Sequence, residues 1–259
     1  MAKKKKEPKQ PKQPKQPKGR AGVLYAAVMG LFMAVSVVLA CTVFFRVEQV
    51  EVSGNSRYTV EEITAVCGVE PGDNLILLNK YQIAQQLYTQ LPYITNVRVN
   101  RKLPDQLLVE VTETKVALTI EGGGAWWLLS ESGKVLDVAE GDAEGYLLLR
   151  GVAPEGIAVG EQLRLAAGNL SAERLLELVA ALSERNMLEK TDWVDASDGE
   201  ILRIGYDGRF EVELFYNADF DFKVNCLRSV VEELEPNETG TIRMTMEDEN
   251  EVRFIPLRP

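Results

Sequence analysis

Apolar and polar positions along this chain follow three regimes. Residues 21–45 are a block of 25 without one charge, bracketed by Arg20 and Arg46. A helix of that length covers roughly 37 Å, enough to cross a ~30 Å hydrocarbon core with some tilt. Inside it, Ser36 and Thr42 can bond back to their own helix, and Ala26, Gly30 and Ala34 line up as small residues on one face. From residue 46 the pattern changes to short alternating and helical periods. Val50 and Val52 alternate with Gln49 and Glu51, the signature of a half-buried strand over 47–52. Thr59 stands three residues before Glu62, a capping box opening a short helix with Ile63, Val66 and Cys67 inward and Gly68 as its stop. A second helix is predicted over 79–91 from Ile83, Leu87 and Leu91 at spacing four. Strands follow at 97–99 and 107–111, joined by a turn at Leu103-Pro104-Asp105. The order is strand, helix, helix, strand, strand.

Beyond residue 115 the pattern is richer in strands. Segments 125–129 and 134–138 form a hairpin around Ser130 and Gly133, and 146–149 is a further short strand. Ser171 caps a helix reaching about residue 187, with Leu175, Val179 and Leu182 inward. Asp207-Gly208 joins strands 201–206 and 209–216, the turn pair suited to a two-residue hairpin. A helix over 222–234 follows, with Val224, Leu227, Val231 and Leu234 as core. The last segment alternates Ile242, Met244 and Met246 with Arg243 and Thr245, passes an acidic turn at Asp248-Glu249-Asn250, and ends on a strand over 252–256.

Charge gives the block at 21–45 a direction. Residues 1–20 hold nine cations against Glu7 alone, and proline recurs every third residue from Pro8 to Pro17. Cations beside a span stay cytoplasmic, so the N-terminus is expected inside and the remainder outside. That tail is expected to be an extended, polyproline-like chain, either a handle for a cytoplasmic partner or lipid, or a topology signal alone. The rest of the chain carries a net charge of about −18, since the whole has 29 basic and 39 acidic residues. Such a net charge is expected to repel nucleic acid and anionic lipid, and no nucleic-acid partner is expected. A cleaved signal would have an apolar core of only about 7–15 residues. Val38-Leu39-Ala40-Cys41 has the look of a lipidation site at Cys41, but the apolar run continues through Phe45, which favours an uncleaved helix.

Composition removes much chemistry. There is no histidine, which excludes Ser-His-Asp and Cys-His systems and the His-based zinc sites. Cys41, Cys67 and Cys226 are too scattered for a metal cluster; Cys67 and Cys226 either pair or sit buried as thiols, and burial is favoured. Gly122-Gly123-Gly124 lacks the strand-then-helix context of a phosphate loop and is expected in a hairpin or linker. Asn169 and Asn237 stand in glycosylation sequons that matter only in a eukaryotic secretory setting. No catalytic, cofactor-binding or metal-binding residue is nominated, and no enzyme is expected.

Several strings, in this order, resemble the FtsQ/DivIB family of bacterial division proteins. They are Val50-Glu51-Val52-Ser53-Gly54-Asn55, Gly72-Asp73-Asn74-Leu75, Leu91-Pro92-Tyr93-Ile94, Val97-Arg98-Val99 with Leu103-Pro104-Asp105, and Val109-Glu110-Val111-Thr112-Glu113. The resemblance implies an α+β, single-pass membrane protein with an extracytoplasmic POTRA domain (β-α-α-β-β) followed by a mixed β-sheet domain with helices. The expected divisions are a tail (1–20), a span (21–45), the POTRA domain (46–114), the β domain (115–256) and a short end (257–259). It implies a non-catalytic divisome scaffold at the septum that binds FtsB/DivIC-like and FtsL-like coiled-coil proteins and helps recruit or regulate septal peptidoglycan synthases. The alternative is a POTRA-containing protein of envelope export or assembly. The binding mode expected is strand addition to an exposed edge formed by Thr241, Ile242, Arg243, Met244, Thr245 and Met246, with Phe254 beside it. Those six residues also suit an interior strand paired on both sides. Members of the family often carry an acid where Arg243 stands, so a shared contact is not expected there.

Overall fold

A computed structural model describes residues 20–139, 141, 145–166, 171–245 and 251–257. The basic tail, Asn169, Met246 and the acidic turn at 248–250 lie outside the described residues. Helix α1 (Arg20–Phe44) contains the uncharged block except Phe45, and its 22–44 portion is long and apolar enough to cross a membrane. Thr42 Oγ1 donates to the Leu39 carbonyl at 2.9 Å, which satisfies its hydroxyl inside the helix.

The chain enters the first sheet without a linker. Phe45 packs against its core and Val47 is buried. Strand β1 (Gln49–Ser53) leads to α2 (Val60–Cys67), whose capping box is complete: Thr59 Oγ1 accepts the Glu62 amide and the Glu62 carboxylate accepts the Thr59 amide. Asn79 Oδ1 takes the amides of Tyr81 and Gln82 and so opens α3 (Lys80–Gln90). Strands β2 (Ile94–Lys102) and β3 (Gln106–Glu113) complete a sheet of order β1-β3-β2, with β1 parallel and β2 antiparallel to β3. Ile63, Leu75, Leu87, Leu107 and Val109 are fully buried between that sheet and the two helices. Truncating one of them, such as Leu87→Ala, costs about 2–5 kcal/mol.

Among the described residues the second sheet has nine strands. They are β4 (Leu118–Gly122), β5 (Ala125–Leu129), β6 (Val135–Val138), β7 (Leu147–Arg150), β8 (Thr191–Asp195), β9 (Ile201–Tyr206), β10 (Phe210–Phe215), β11 (Gly240–Arg243) and β12 (Arg253–Pro256). Their spatial order is β12-β11-β10-β9-β8-β7-β4-β5-β6. Gly123 and Gly124, both with positive φ, form the two-residue turn between β4 and β5, which is what the glycine triplet is for. Helix α4 (Ala172–Glu184) crosses from β7 to its parallel neighbour β8, and α5 (Phe220–Glu233) crosses from β10 to its parallel neighbour β11. The helices lie side by side: Arg174 of α4 stacks over the Phe220 ring at 4.1 Å, and Arg185 pairs with Asp221 at 3.0 Å. One face of the sheet is covered by these helices, and there Leu118, Ile120, Leu149, Ile204, Val212 and Ile242 form the core with Leu175, Leu178 and Leu182.

Strands β4 and β8 were not among the predicted elements. Cys67 and Cys226 are free thiols, Cys67 in the first core and Cys226 against the second. Burial pushes the Cys67 thiol up to about 11, far from a reactive thiolate.

The expected edge needs correction. β11 is paired on both sides, parallel to β10 and antiparallel to β12, so Thr241, Ile242 and Arg243 are interior. Met244 donates its amide to the Glu213 carbonyl and is buried, while Thr245 follows outside the strand. The physical reason is that 253–256 folds back over 240–243 and becomes the outermost strand, carrying Phe254 with it.

Candidate functional site

The two ends of the nine-stranded sheet are treated differently by the chain. At the β6 end, Val135 donates to the Glu161 carbonyl and accepts from the Gly160 amide, both at 2.8 Å, and Leu163 donates to Gly133. That loop occupies the outer side of β6 at its first residue, Val135. At the β12 end, no described residue pairs with the outer side of the strand.

Register fixes what β12 offers there. Leu257 donates to the Thr239 carbonyl at 2.8 Å, extending the β11–β12 ladder. Antiparallel alternation then turns the backbone of Ile255 and Arg253 inward and that of Phe254 and Pro256 outward. Pro256 has no N–H, so its outward position costs the ladder nothing, which is where proline is tolerated in a sheet. The Phe254 N–H and the carbonyls of Phe254 and Pro256 are the backbone groups presented to a further strand. The Phe254 ring meets Phe210 edge-to-face at 6.0 Å on the helix side, and this anchors the edge to the core. Ile255 and Leu257 are exposed.

On the open face, opposite the helices, registered pairs line up a row of charges. Arg150 lies opposite Asp195, Asp195 opposite Arg203, Arg203 opposite Glu213, Glu213 opposite Arg243, and Arg243 opposite Arg253. Signs alternate across five strands and then repeat at the edge. Arg243 Nε bonds Glu213 Oε2 at 2.7 Å, and Arg203 reaches Asp198 and Glu211 at 3.7 and 3.8 Å. The Ser197 side chain and amide hold the Asp195 carboxyl below the usual carboxylate range, so it stays charged in the row. Arg253, last in the row, has Glu251 of its own strand end at 3.2 Å and a like charge across the ladder. Directly opposed like charges cost a few tenths of a kcal/mol to about 1 kcal/mol.

Of the residues expected to form the edge, Phe254 is on it. Thr241 and Arg243 lie one strand behind it on the open face, Ile242 and Met244 are core, and Met246 is outside the described residues. The alternation at 241–246 suits an edge or an interior strand equally. Pro256, inside a strand pattern, is the sequence signal that marks the outer strand.

The β2 edge of the first sheet is less suited to pairing. β2 carries Arg98, Arg101 and Lys102 and a register shift between Ile94 and Asn96, devices that blunt an edge. Among the described residues no group of acids and cysteines is arranged to hold a metal ion.

Residues 45–114 match the family described as POTRA domain, FtsQ-type. The cell division protein FtsQ of Geotalea daltonii is 29% identical over 209 residues, covering 76% of this chain and 71% of that protein. The cell division protein DivIB of Clostridium tetani is 23% identical over 217 residues, covering 82% of this chain and 80% of that one. The solved major extracytoplasmic domain of DivIB from Geobacillus stearothermophilus aligns over 49% of this chain and 98% of its own, with 13% identity and a TM-score of 0.30.

Proposed function

From its membership of the FtsQ/DivIB family of cell division proteins, we infer that the chain is a membrane-anchored, non-catalytic scaffold of the division machinery. Helix α1 is its single span, the nine cations of residues 1–20 keep the N-terminus cytoplasmic, and both sheets stand outside the membrane at the septum. Its partners are small single-pass coiled-coil proteins of the FtsB/DivIC and FtsL kinds, and through them the septal peptidoglycan synthases.

The observation that supports the binding mode is the asymmetry of the sheet: its own loop bonds the start of β6, and among the described residues nothing pairs with the outer side of β12. A partner segment adds to β12 as a further strand, using the outward backbone of Phe254 and the Pro256 carbonyl. Its side chains are set by the row on the open face: an acidic residue opposite Arg253 resumes the alternation that Arg243 and Arg253 break. Thr241, Arg243 and Ile255 lie beneath that strand as the neighbouring surface.

A photo-crosslinking residue at Ile255 in dividing cells tests this, with Val138 at the β6 end as control. The expected product joins Ile255 to a small single-pass partner and forms at the septum. Products from Val138 alone, or products spread evenly around the envelope, would reject the edge or the septal role respectively.

A further inference from the structure

Where α1 ends, the turn that follows α2 closes around it. Asn74 Nδ2 donates to the Cys41 carbonyl at 3.3 Å, one turn inside the helix, and Leu75 donates to the Phe45 carbonyl at 2.8 Å. Val47 donates to Asp73 and accepts from Gly72, both at 2.8 Å. The first domain is therefore joined to the span by hydrogen bonds between residues 41–47 and the turn at 72–75.

Beside that joint lies apolar surface that the core does not use. In the run Leu75-Ile76-Leu77-Leu78, Leu75 is fully buried and Leu78 packs against the core, but Ile76 is 43% exposed and Leu77 78% exposed. Tyr81, one turn on at the start of α3, is 87% exposed. Asn74 Oδ1 accepts the amides of both Ile76 and Leu77, so the turn holds these two side chains outward. Chain length alone keeps Leu77 within about 10 Å of Asn74, whose side chain is bonded to the last turn of α1. The headgroup layer beyond the hydrocarbon is about 5–8 Å thick on each side. Cations flank the patch: Lys80 adjoins Tyr81, and Arg101 Nη2 donates to the Leu78 carbonyl at 2.6 Å.

We propose that Ile76, Leu77 and Tyr81 form a membrane-contact edge that seats the first domain on the leaflet from which α1 emerges. Leu77 and Ile76 enter the boundary between headgroups and acyl chains, Tyr81 lies at headgroup level, and Lys80 and Arg101 face phosphates. The bilayer is the occupant because Asn74 and Leu75, which lead into the patch, are bonded to the end of α1, so the lipid surface is there before any partner arrives. The contact gives the first domain a second hold on the membrane beside the hydrogen-bonded joint at 41–47.

The test uses the full chain in vesicles of phosphatidylcholine and phosphatidylglycerol, with Cys41→Ala and Cys226→Ala and the buried Cys67 kept. An environment-sensitive fluorophore goes on Tyr81→Cys or, for comparison, on Glu232→Cys of α5. The expected result is blue-shifted emission at position 81, quenched by lipids brominated near the headgroup end of the chain, and water-like emission at 232. Adding Leu77→Asp should return the position-81 signal to water-like while circular dichroism is unchanged. Water-like emission at position 81 in the parent would overturn the proposal. So would quenching that survives Leu77→Asp, since the tether alone would then account for it.

Discussion

Glu113 Oε2 accepts the backbone N–H of Arg57 at 2.6 Å, joining the end of β3 to the loop between β1 and α2. The same carboxylate takes the amides of Ser56 and Tyr58 and the Ser56 hydroxyl. Burial alone would raise its pKa, but the four donors outweigh it and hold the carboxyl below its ordinary value of 4.5. The charged form is thus favoured by the fold. Its contribution is complete above the unfolded-state pKa and is lost as pH falls through the lower, folded-state pKa. Glu113→Gln should cost roughly 1–2 kcal/mol at neutral pH, and urea unfolding below pH 4.5 should show a smaller difference from the parent. An equal difference at both pH values would assign the effect to shape instead of charge.

The two sheets meet through long cations. Lys134, in the turn before β6, donates to the Ile94 carbonyl at 3.1 Å and approaches the Tyr88 carbonyl at 3.5 Å, and burial lowers its pKa. Arg57 stacks over the Tyr93 ring at 3.8 Å and stands 3.8 Å from Asp137. Each contact is worth about 1 kcal/mol. The Lys134→Ala, Arg57→Ala double variant should keep its helix content and lose the fixed angle between the sheets. Spin-label distances from α3 to α4 should broaden; an unchanged distribution would mean that the backbone connection at 114–117 sets the angle by itself.

Much of the first domain was legible because its signals are local. Thr59 and Glu62 are three residues apart, Asn79 caps its own helix, and Gly68 stops α2 with a φ of 63°. Asp207-Gly208 likewise announced its hairpin, and Asp207 has positive φ as that turn requires. The order of the nine strands was not legible, because parallel pairs such as β7 with β8 join residues about 45 positions apart. β8 was hidden for another reason: Thr191-Asp192-Trp193-Val194-Asp195 has two large apolar residues, and a register shift between Thr191 and Trp193 spoils its alternation. The interior position of Thr241, Ile242 and Arg243 was hidden at the same level. Whether Thr241 is outermost depends on residues 253–256, and nothing in 241–246 encodes their return.

Gly205 is required by a ring. A Cβ there would stand 2.3 Å from Nε1 of Trp193, the residue opposite it on β8, and that indole also carries Arg150 at 5.4 Å. Gly205→Ala must push the indole off the open face and should cost about 1–3 kcal/mol. Tryptophan emission should shift to the red and the melting temperature should fall. An unshifted spectrum would show that the backbone of β9 moves in place of the ring.

The last pair in the charge row separates stability from binding. Arg243 is satisfied by Glu213 at 2.7 Å, whose side chain is only 16% exposed, so Arg243→Glu sets two acids together and should destabilise the free chain by about 1–3 kcal/mol. Arg253 has the opposite character: its registered neighbour is Arg243, and its acid, Glu251, is half exposed. Arg253→Glu replaces a repulsive cross-strand pair with an attractive one and exchanges the exposed Glu251 pair for a like-charge contact, so the free chain should stay within about 1 kcal/mol of the parent. A partner strand on β12 meets the reversed charge directly, and capture of the partner by the full chain should weaken. Replacing the partner's facing acid with lysine should restore it. If Arg253→Glu leaves capture unchanged, the partner does not lie along β12; if it weakens capture and lysine fails to restore it, the partner strand is there in a different register.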